Sequence, residues 1–184
     1  DMTFTAIDFE TAHANFPCEI GLSRIVEGEI TETRSWFIKP ACFPYMNPWN
    51  EQVHHISARQ LVNAKTFDEL WAELKPWFED EYIVAHNASF DMRVLKSTLE
   101  YYELALPHFD YFCSVQLSRK AWKELPSHSL DTLANYHHIK FQHHRAGADA
   151  EACAIITLRA FEKLGITSIE TDFGQCGVKI KKLN

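Results

Sequence analysis

The order of strand and helix patterns along the chain restricts the fold most strongly. Alternating apolar and polar residues predict three strands near the start, over residues 3–10, 18–27 and 29–38, with the last two joined as a hairpin. Two further strand patterns, over residues 82–85 and 111–115, alternate with helical patterns. A hairpin followed by alternating strands and helices predicts an α/β fold with a five-stranded mixed sheet flanked by helices.

Capping sequences mark where several helices begin. Ser57 and Thr66 are each followed three residues later by Gln or Glu, which is the capping-box pattern. Ser129 is expected to cap another short helix, and the longest helix is expected over residues 147–163. Residues 40–55 contain three prolines and are predicted to form a loop.

The length of the chain indicates one domain. Of its 184 residues, 46% are hydrophobic, which is enough for a core without disulfide bonds. We expect the domain to comprise residues 1–165, with residues 166–184 as a C-terminal tail or a final element. No apolar run approaches the roughly 20 residues of a membrane span, so no membrane association is expected. The five cysteines include no Cys-x-x-Cys pair and are typical of reduced thiols in a cytoplasmic protein.

The charge of the chain limits how it could interact with nucleic acid. Its net charge of −7 argues against bulk attraction to duplex DNA, because phosphate neutralisation requires clustered Lys and Arg. An enzyme acting on nucleic acid remains compatible with this charge if cations lie between its acids and the phosphates.

Two acidic residues lie close together at the end of the first predicted strand. Asp8 and Glu10 are two positions apart, so their side chains point to the same face. Neighbouring carboxylates repel each other unless a proton or a cation intervenes, and Mg²⁺ and Mn²⁺ prefer oxygen ligands. Taken alone, the pair is also compatible with two acids on a solvated strand end, which is the commoner situation.

Two more acids fall in the first turns of predicted helices. Asp91 shares a helix face with Leu95, and Asp149 shares one with Cys153, so both acids point toward the core. A carboxylate on an apolar face needs a partner, and a shared metal ion would supply one. Each acid is singly compatible with a helix-capping role. His144 precedes the last helix, where an ordinary surface histidine is the alternative to a residue that faces substrate.

Taken together, these segments match the motifs of a known family. The segments Asp8-x-Glu10, His86-Asn87-x-x-Phe90-Asp91 and His144-x-x-x-x-Asp149 resemble, in this order, the three motifs of the DEDDh family of 3′–5′ exonucleases. Val53-His54-x-Ile56 and His128-Ser129-Leu130-Asp131 resemble two further segments of that family. The resemblance extends from residue 3 to about residue 164. Within the family, the sequence most resembles the proofreading epsilon subunits of bacterial DNA polymerase III.

The resemblance implies a ribonuclease H-like fold and two divalent cations, Mg²⁺ or Mn²⁺. It implies that Asp8 contacts both cations, while Glu10 and Asp149 bind one of them. Asp91 would hold the other cation, in part through water. His144 would take the proton from the attacking water as a general base, and the product would be a nucleoside 5′-monophosphate.

Four further residues are implied to contact or orient the substrate. Thr11 would meet the terminal 3′-hydroxyl, and Asn87 would orient neighbouring groups. Ile56 and Phe90 would stack on or wedge against the terminal base, with core packing as the alternative for both. Family members often have Gly just after the threonine, whereas this chain has Ala12, which leaves the substrate preference open.

The resemblance implies a single-stranded 3′ end as substrate, with DNA favoured over RNA, and a polymerase as a candidate partner. Two alternatives stay open: an RNA exonuclease of the oligoribonuclease type, and a nucleic-acid-binding domain that kept the fold without turnover. The enzyme is favoured over the second alternative because all four acids and the histidine are present, and a degenerate relative is expected to lose at least one.

Overall fold

A six-stranded mixed sheet forms the centre of the protein in a computed structural model that describes residues 1–184. The order of strands across the sheet is β3-β2-β1-β4-β5-β6. The strands are β1 (Phe4–His13), β2 (Phe16–Val26), β3 (Glu29–Phe37), β4 (Tyr82–Ala85), β5 (Asp110–Cys113) and β6 (Lys181–Lys182). The first three strands are antiparallel, β4 and β5 run parallel to β1, and β6 is antiparallel to β5.

Eight α-helices flank this sheet. They are α1 (Pro48–His54), α2 (Ala58–Leu61), α3 (Phe67–Leu74), α4 (Ala88–Tyr101), α5 (Ser114–Ala121), α6 (Leu130–Tyr136), α7 (Ala146–Leu164) and α8 (Ile169–Asp172). The predicted caps are confirmed: Ser57 and Thr66 form capping boxes, and the hydroxyl of Ser129 accepts a hydrogen bond from the amide of Thr132. None of the helices is both long enough and apolar enough to cross a membrane.

The prediction of an α/β fold with a mixed sheet is confirmed, but the expected number of five strands is wrong. The sixth strand, β6, lies within residues 166–184 and pairs with β5 through Lys182 opposite Asp110 and Lys181 opposite Tyr111. A strand of only two exposed lysines has no apolar alternation, so periodicity could not reveal it. In the same C-terminal segment, Phe173 lies before β6 and Leu183 follows it, and both side chains are buried in the core.

The prediction that residues 40–55 form a loop is wrong for its second half, which is helix α1. Asn47 caps this helix by accepting hydrogen bonds from the amides of Trp49 and Asn50. Pro48 is the first helical residue, a position where proline is favoured because no helical partner for its missing N–H is needed. Pro48, which the sequence pattern places in a loop, therefore begins a helix. This helix contacts β1.

The alternation along β1 divides the core between the two faces of the sheet. Ile7 and Phe9 belong to a cluster of 20 buried residues that includes side chains of α3 and α4. Phe4 and Ala6 belong to a second cluster of 18 buried residues that includes side chains of α5 and α7. Asp8 is two residues after Ala6 and therefore points to the same face, so its side chain lies on the α7 side of the sheet.

Candidate active site

The carboxylates predicted from separate segments meet at the end of β4, beside the part of β1 that follows its pairing with β4. Carboxylate oxygens of Asp8, Glu10 and Asp149 all lie within 4.8 Å of one another. Asp8 and Glu10 are on β1, and Asp149 is in the first turn of α7, which packs against β1 and β2. Glu10 and Asp149, which are 139 positions apart in the sequence, thus belong to one acidic cluster.

Asp91 is held against the same strand from the other side of the site. It lies in the first turn of α4 and is only 2% exposed. The amide of Phe9 donates a hydrogen bond to Asp91 Oδ1 across 3.0 Å, which fixes this carboxylate beside Asp8. The prediction that Asp91 and Asp149 lie on buried helix faces is therefore confirmed.

Burial and mutual repulsion disfavour ionisation of these acids. Burial, with the repulsion of Asp91 and Glu10, holds the pKa of Asp8 well above its ordinary value. Burial raises the pKa of Glu10 to about 8 and that of Asp91 to about 8, with a further contribution from the charge of Asp149. The pKa of Asp149 is also raised by burial, although His143 opposes the shift.

The donor set fits divalent cations that prefer oxygen. The Oδ2 atom of Asp8 is buried and forms no hydrogen bond, which is costly for a carboxylate oxygen unless a cation or a proton meets it. The neighbouring oxygens of Glu10 and Asp149 lie at distances that one ion can bridge. Cations would remove the repulsion that, together with burial, raises the pKa values of Asp8, Glu10 and Asp91.

A fifth acid, Glu19, positions the beginning of α7, and sequence reasoning missed it. Glu19 lies opposite Glu10 on β2 and is 4% exposed. Its Oε1 atom accepts a hydrogen bond of 3.0 Å from the amide of Ala146, and Arg145 Nη2 lies 3.6 Å from the same oxygen. Only the strand register brings Glu19 to this place, so no spacing along the sequence could have indicated it.

Arg145 also connects α7 to the α1 region. Its Nη2 group donates a hydrogen bond of 2.7 Å to the carbonyl oxygen of His54. His54 is 2% exposed, donates from Nε2 to the carbonyl of Thr11 across 2.9 Å, and accepts at Nδ1 from the amide of Ile56. Asn50 Nδ2 donates to both oxygens of Thr11 at 3.2 Å, so α1 fixes the end of β1 through two side chains.

Two histidines lie beside Asp149, and their contacts differ. The Nδ1 atom of His143 lies 3.2 Å from Asp149 Oδ1, and its Nε2 atom lies 3.2 Å from Asp131 Oδ2. The backbone amide of His144 donates a hydrogen bond to Asp149 Oδ1 across 3.1 Å, whereas its ring lies tilted against that of His143, with the centroids 3.5 Å apart, and forms no hydrogen bond within the protein. Burial and the neighbouring His143 lower the pKa of His144. The contact of His143 with Asp149 was not predicted.

The residues predicted to contact the substrate are placed unequally. Phe90 is half-buried, with the guanidinium of Arg93 over its ring at 5.7 Å, and Asn87 is exposed with a positive φ of 75°. Thr11 is 8% exposed. Ile56 is 0% exposed and packs against Leu61 and Cys18, so it offers no surface to a base in this structure. The structure thus brings Thr11 to the site but leaves Ile56 in the core.

Solved structures of other proteins share this fold. The chain is similar to Escherichia coli exonuclease I in complex with a dT13 oligonucleotide, with a TM-score of 0.77 and 17% identity over 90% of this chain and 42% of that one. It is similar to exonuclease X in complex with 5′ overhanging duplex DNA, with a TM-score of 0.72 and 23% identity over 90% and 99% of the two chains. The nuclease domain of 3′hExo, a DEDDh family member bound to rAMP, has a TM-score of 0.75 and 14% identity over 97% and 96%.

The mixed sheet with carboxylates clustered on β1 has the ribonuclease H-like fold of these exonucleases. The model of the exonuclease family of the RNase T type matches residues 5–157, and the chain belongs to this family. Exonucleases are hydrolases, and the DEDDh type, to which the similar 3′hExo belongs, normally uses divalent metals.

The chain is also similar to part of a much longer curated protein, the PolC-type DNA polymerase III. Identity is 31% over 172 residues with the Staphylococcus saprophyticus protein and 32% over 177 residues with that of Thermotoga maritima. These alignments cover 89% and 92% of this chain but only 12% and 13% of the relatives.

Proposed function

We propose that the protein is a cation-dependent 3′–5′ exonuclease that hydrolyses single-stranded DNA to nucleoside 5′-monophosphates. The observation that carries the proposal is the cluster of Asp8, Glu10 and Asp149, whose oxygens lie within 4.8 Å of one another. The buried Asp91 beside them adds a fourth acid at the same strand end. Such a cluster favours the binding of cations, which an anionic phosphodiester needs in order to approach.

Four carboxylates would hold two cations, Mg²⁺ or Mn²⁺; they are Asp8, Glu10, Asp91 and Asp149. When bound, such cations neutralise a phosphodiester and make a water molecule more acidic. The chain fixes the carboxylates before any cation arrives: the amide of Phe9 holds Asp91, and the amide of His144 holds Asp149. This preorganisation reduces the rearrangement that binding requires.

His144 is the proposed general base. Its lowered pKa keeps the imidazole neutral near pH 7, so a ring nitrogen can accept a proton from the attacking water. Its ring nitrogens form no hydrogen bond within the protein, whereas both ring nitrogens of His143 face carboxylates. His143 is therefore better placed to orient Asp149 and the adjacent His144 than to accept the proton.

The terminal nucleotide would lie between the acids and α1. Thr11, which Asn50 and His54 hold in place, would meet the 3′-hydroxyl. Phe90 is half-buried at the beginning of α4, next to the exposed Asn87, and would contact the terminal base. Ile56 would act indirectly, through the packing of the α1 region, because its side chain has no exposed surface.

The experiment uses one single-stranded DNA oligonucleotide labelled in turn at its 5′ and 3′ ends, with Mg²⁺, Mn²⁺ or EDTA. We expect stepwise shortening from the 3′ end that EDTA abolishes. Asp149→Asn should lose cleavage because it removes a cation ligand, whereas Glu162→Gln changes an exposed acid on the same helix and should not. Cleavage that persists in EDTA, or in the Asp149 variant, would contradict the proposal.

A matched RNA oligonucleotide decides between DNA and RNA as substrate. DNA is favoured because the curated relatives are DNA polymerases and because exonuclease I and exonuclease X were seen with DNA. Faster cleavage of RNA would support the alternative of an RNA exonuclease, and no cleavage of either polymer would leave a nucleic-acid-binding domain. The similarity to polymerase segments also supports a polymerase as partner and a cytoplasmic location.

A further inference from the structure

A group of basic side chains lies on one side of the candidate site, at the β5–β6 edge of the sheet. Three adjoining clefts share Gln116 on α5, and cationic residues line two of them and part of the third. We call the following residues the basic patch: Arg119, Lys120, Lys123, Lys179 and Lys181. The patch combines α5 and Lys123, two residues beyond its end, with Lys181 of β6 and Lys179, two residues before it, so the patch exists only in the folded chain.

The charges of the basic patch are free to meet an external anion. All five side chains are exposed, and none of them forms an ion pair with an acid of the protein. Lys182, next to the patch, is different because its Nζ lies 3.4 Å from Asp110 Oδ1. In a protein with a net charge of −7, five unpaired cations on one surface produce a local positive potential that the overall charge conceals.

A cleft connects the basic patch to the candidate site. Its volume is about 740 Å³, and its lining includes His86 and Asn87 as well as Arg119. Asn87 directly precedes α4, the helix that carries Asp91. If the terminal nucleotide lies on the α1 side of the acids, as proposed above, the rest of the strand leaves the site on this opposite side, toward the patch.

The chemistry of the patch suits phosphates better than unstacked bases. Of the aromatic rings that line these clefts, Phe112 is buried and Tyr111 is half-buried. The two most exposed aromatic side chains lie outside these clefts: Trp49 in α1 is 77% exposed, and Tyr101 at the end of α4 is 57% exposed. Proteins that bind single strands usually add aromatic stacking to positive charge, whereas a duplex keeps its bases stacked internally and presents its backbone.

We infer that the basic patch binds the phosphate backbone of a nucleic-acid duplex that lies upstream of the 3′ end in the candidate site. This inference rests on the proposed function for the position of that 3′ end. The patch begins at β6, three interstrand spacings from β1, the strand that carries Asp8 and Glu10, which is a distance of about 14 Å. At 3.4 Å per nucleotide along one strand of a duplex, that distance corresponds to about four nucleotides. A short 3′ overhang would thus reach the acids while the duplex contacts the patch.

The test measures binding separately from cleavage. A 20-base-pair duplex with a four-nucleotide 3′ overhang and its isolated long strand, both fluorescently labelled, are titrated with protein in EDTA between 50 and 200 mM salt. The double variant Arg119→Glu/Lys123→Glu should weaken duplex binding about tenfold to hundredfold at 0.1 M salt and reduce the salt slope by about 2. The matched control Lys65→Glu/Lys75→Glu makes the same change in charge at two exposed lysines on either side of α3.

The outcomes separate this inference from the proposed function. Equal weakening of single-strand and duplex binding would refute the assignment to a duplex, because the patch would then follow the scissile strand. Unchanged duplex binding, or the same loss in the control, would refute any role for the patch. Cleavage of a dinucleotide, which is too short to reach the patch, reports on the proposed function alone; if it fails while the duplex binding result holds, only the proposed function is wrong.

Discussion

The substitution Gly21→Ala tests whether the position of α7 determines activity. Gly21 lies on β2 directly opposite Asp8 on β1, and the first turn of α7 packs onto it. A Cβ atom at this position would lie 2.0 Å from the carbonyl oxygen of Ala146 and 2.4 Å from the amide nitrogen of Gly147. These neighbours are backbone atoms, so no flexible side chain can move aside.

The size of the expected effect follows from this distance. Ordinary contact begins at 3.4 Å, so α7 must move away by about 1.4 Å, or β2 must give way by the same amount. Asp149 is on the same helical turn, and its carboxylate would shift relative to Asp8. Misplacement by about 1 Å at a catalytic centre can reduce the rate about 10²-fold, and overpacking of this kind costs about 1–3 kcal/mol of stability.

Single-turnover cleavage of a labelled oligonucleotide and urea unfolding measure the two effects. Gly174→Ala is the control, because a Cβ there meets no atom within 4 Å. We expect Gly21→Ala to remain folded, with a loss of about 1–3 kcal/mol, and to cleave about 100-fold more slowly. If a folded Gly21→Ala variant cleaves at a rate within threefold of that of the unchanged protein, the close packing of α7 against β2 does not determine the alignment of the acids.

Two further predictions concern the acids and the histidines. In EDTA, the melting temperature should fall as pH rises from 5 to 9, because burial raises the pKa of Glu10 from 4.5 to about 8 in the folded protein. The contribution of this group to stability is therefore complete below pH 4.5 and is lost as pH rises through about 8. Asp8→Asn should raise the melting temperature at pH 9 yet abolish cleavage; a lower value would contradict the repulsion. His144→Ala should slow cleavage about 10²–10⁴-fold with Mg²⁺ affinity by calorimetry unchanged, and His143→Ala should slow it less. A loss of Mg²⁺ affinity in His144→Ala would instead show that His144 is a cation ligand.

Local sequence signals predicted the elements whose physical cause is local. The caps at Ser57, Thr66 and Ser129 depend on hydrogen bonds within four residues, and each forms as expected. The missed elements, α1 and β6, are stabilised differently. Helix α1 begins at a proline that resembles a loop signal, and β6 exists only because β5 offers it an edge.

The same distinction applies to the site. The acids of the three motifs could be predicted because Asp8 and Glu10 lie on a strand while Asp91 and Asp149 lie in the first turns of helices, at positions that the pattern of apolar residues marks. Glu19 and His143 could not, since their importance comes from contacts between elements: Glu19 meets Ala146 only through the pairing of β2 with β1. The basic patch could not be predicted either, because the net charge of −7 is negative and only the fold brings the five unpaired basic side chains together.

The buried acids also predict an exchange of protons for cations. Burial raises the pKa of Glu10 and of Asp91 to about 8, so at pH 7 the cation-free site retains protons on these carboxyls. A divalent cation binds the ionised oxygens and must displace those protons, so Mg²⁺ binding should release protons near pH 7 and release fewer at pH 9. Titration of weakly buffered protein with Mg²⁺, followed by a pH indicator, measures the release, and Asp8→Asn is the control that lacks a ligand. Release that is absent at pH 7 would show that the carboxylates are already ionised, and would contradict burial as the dominant influence on the site.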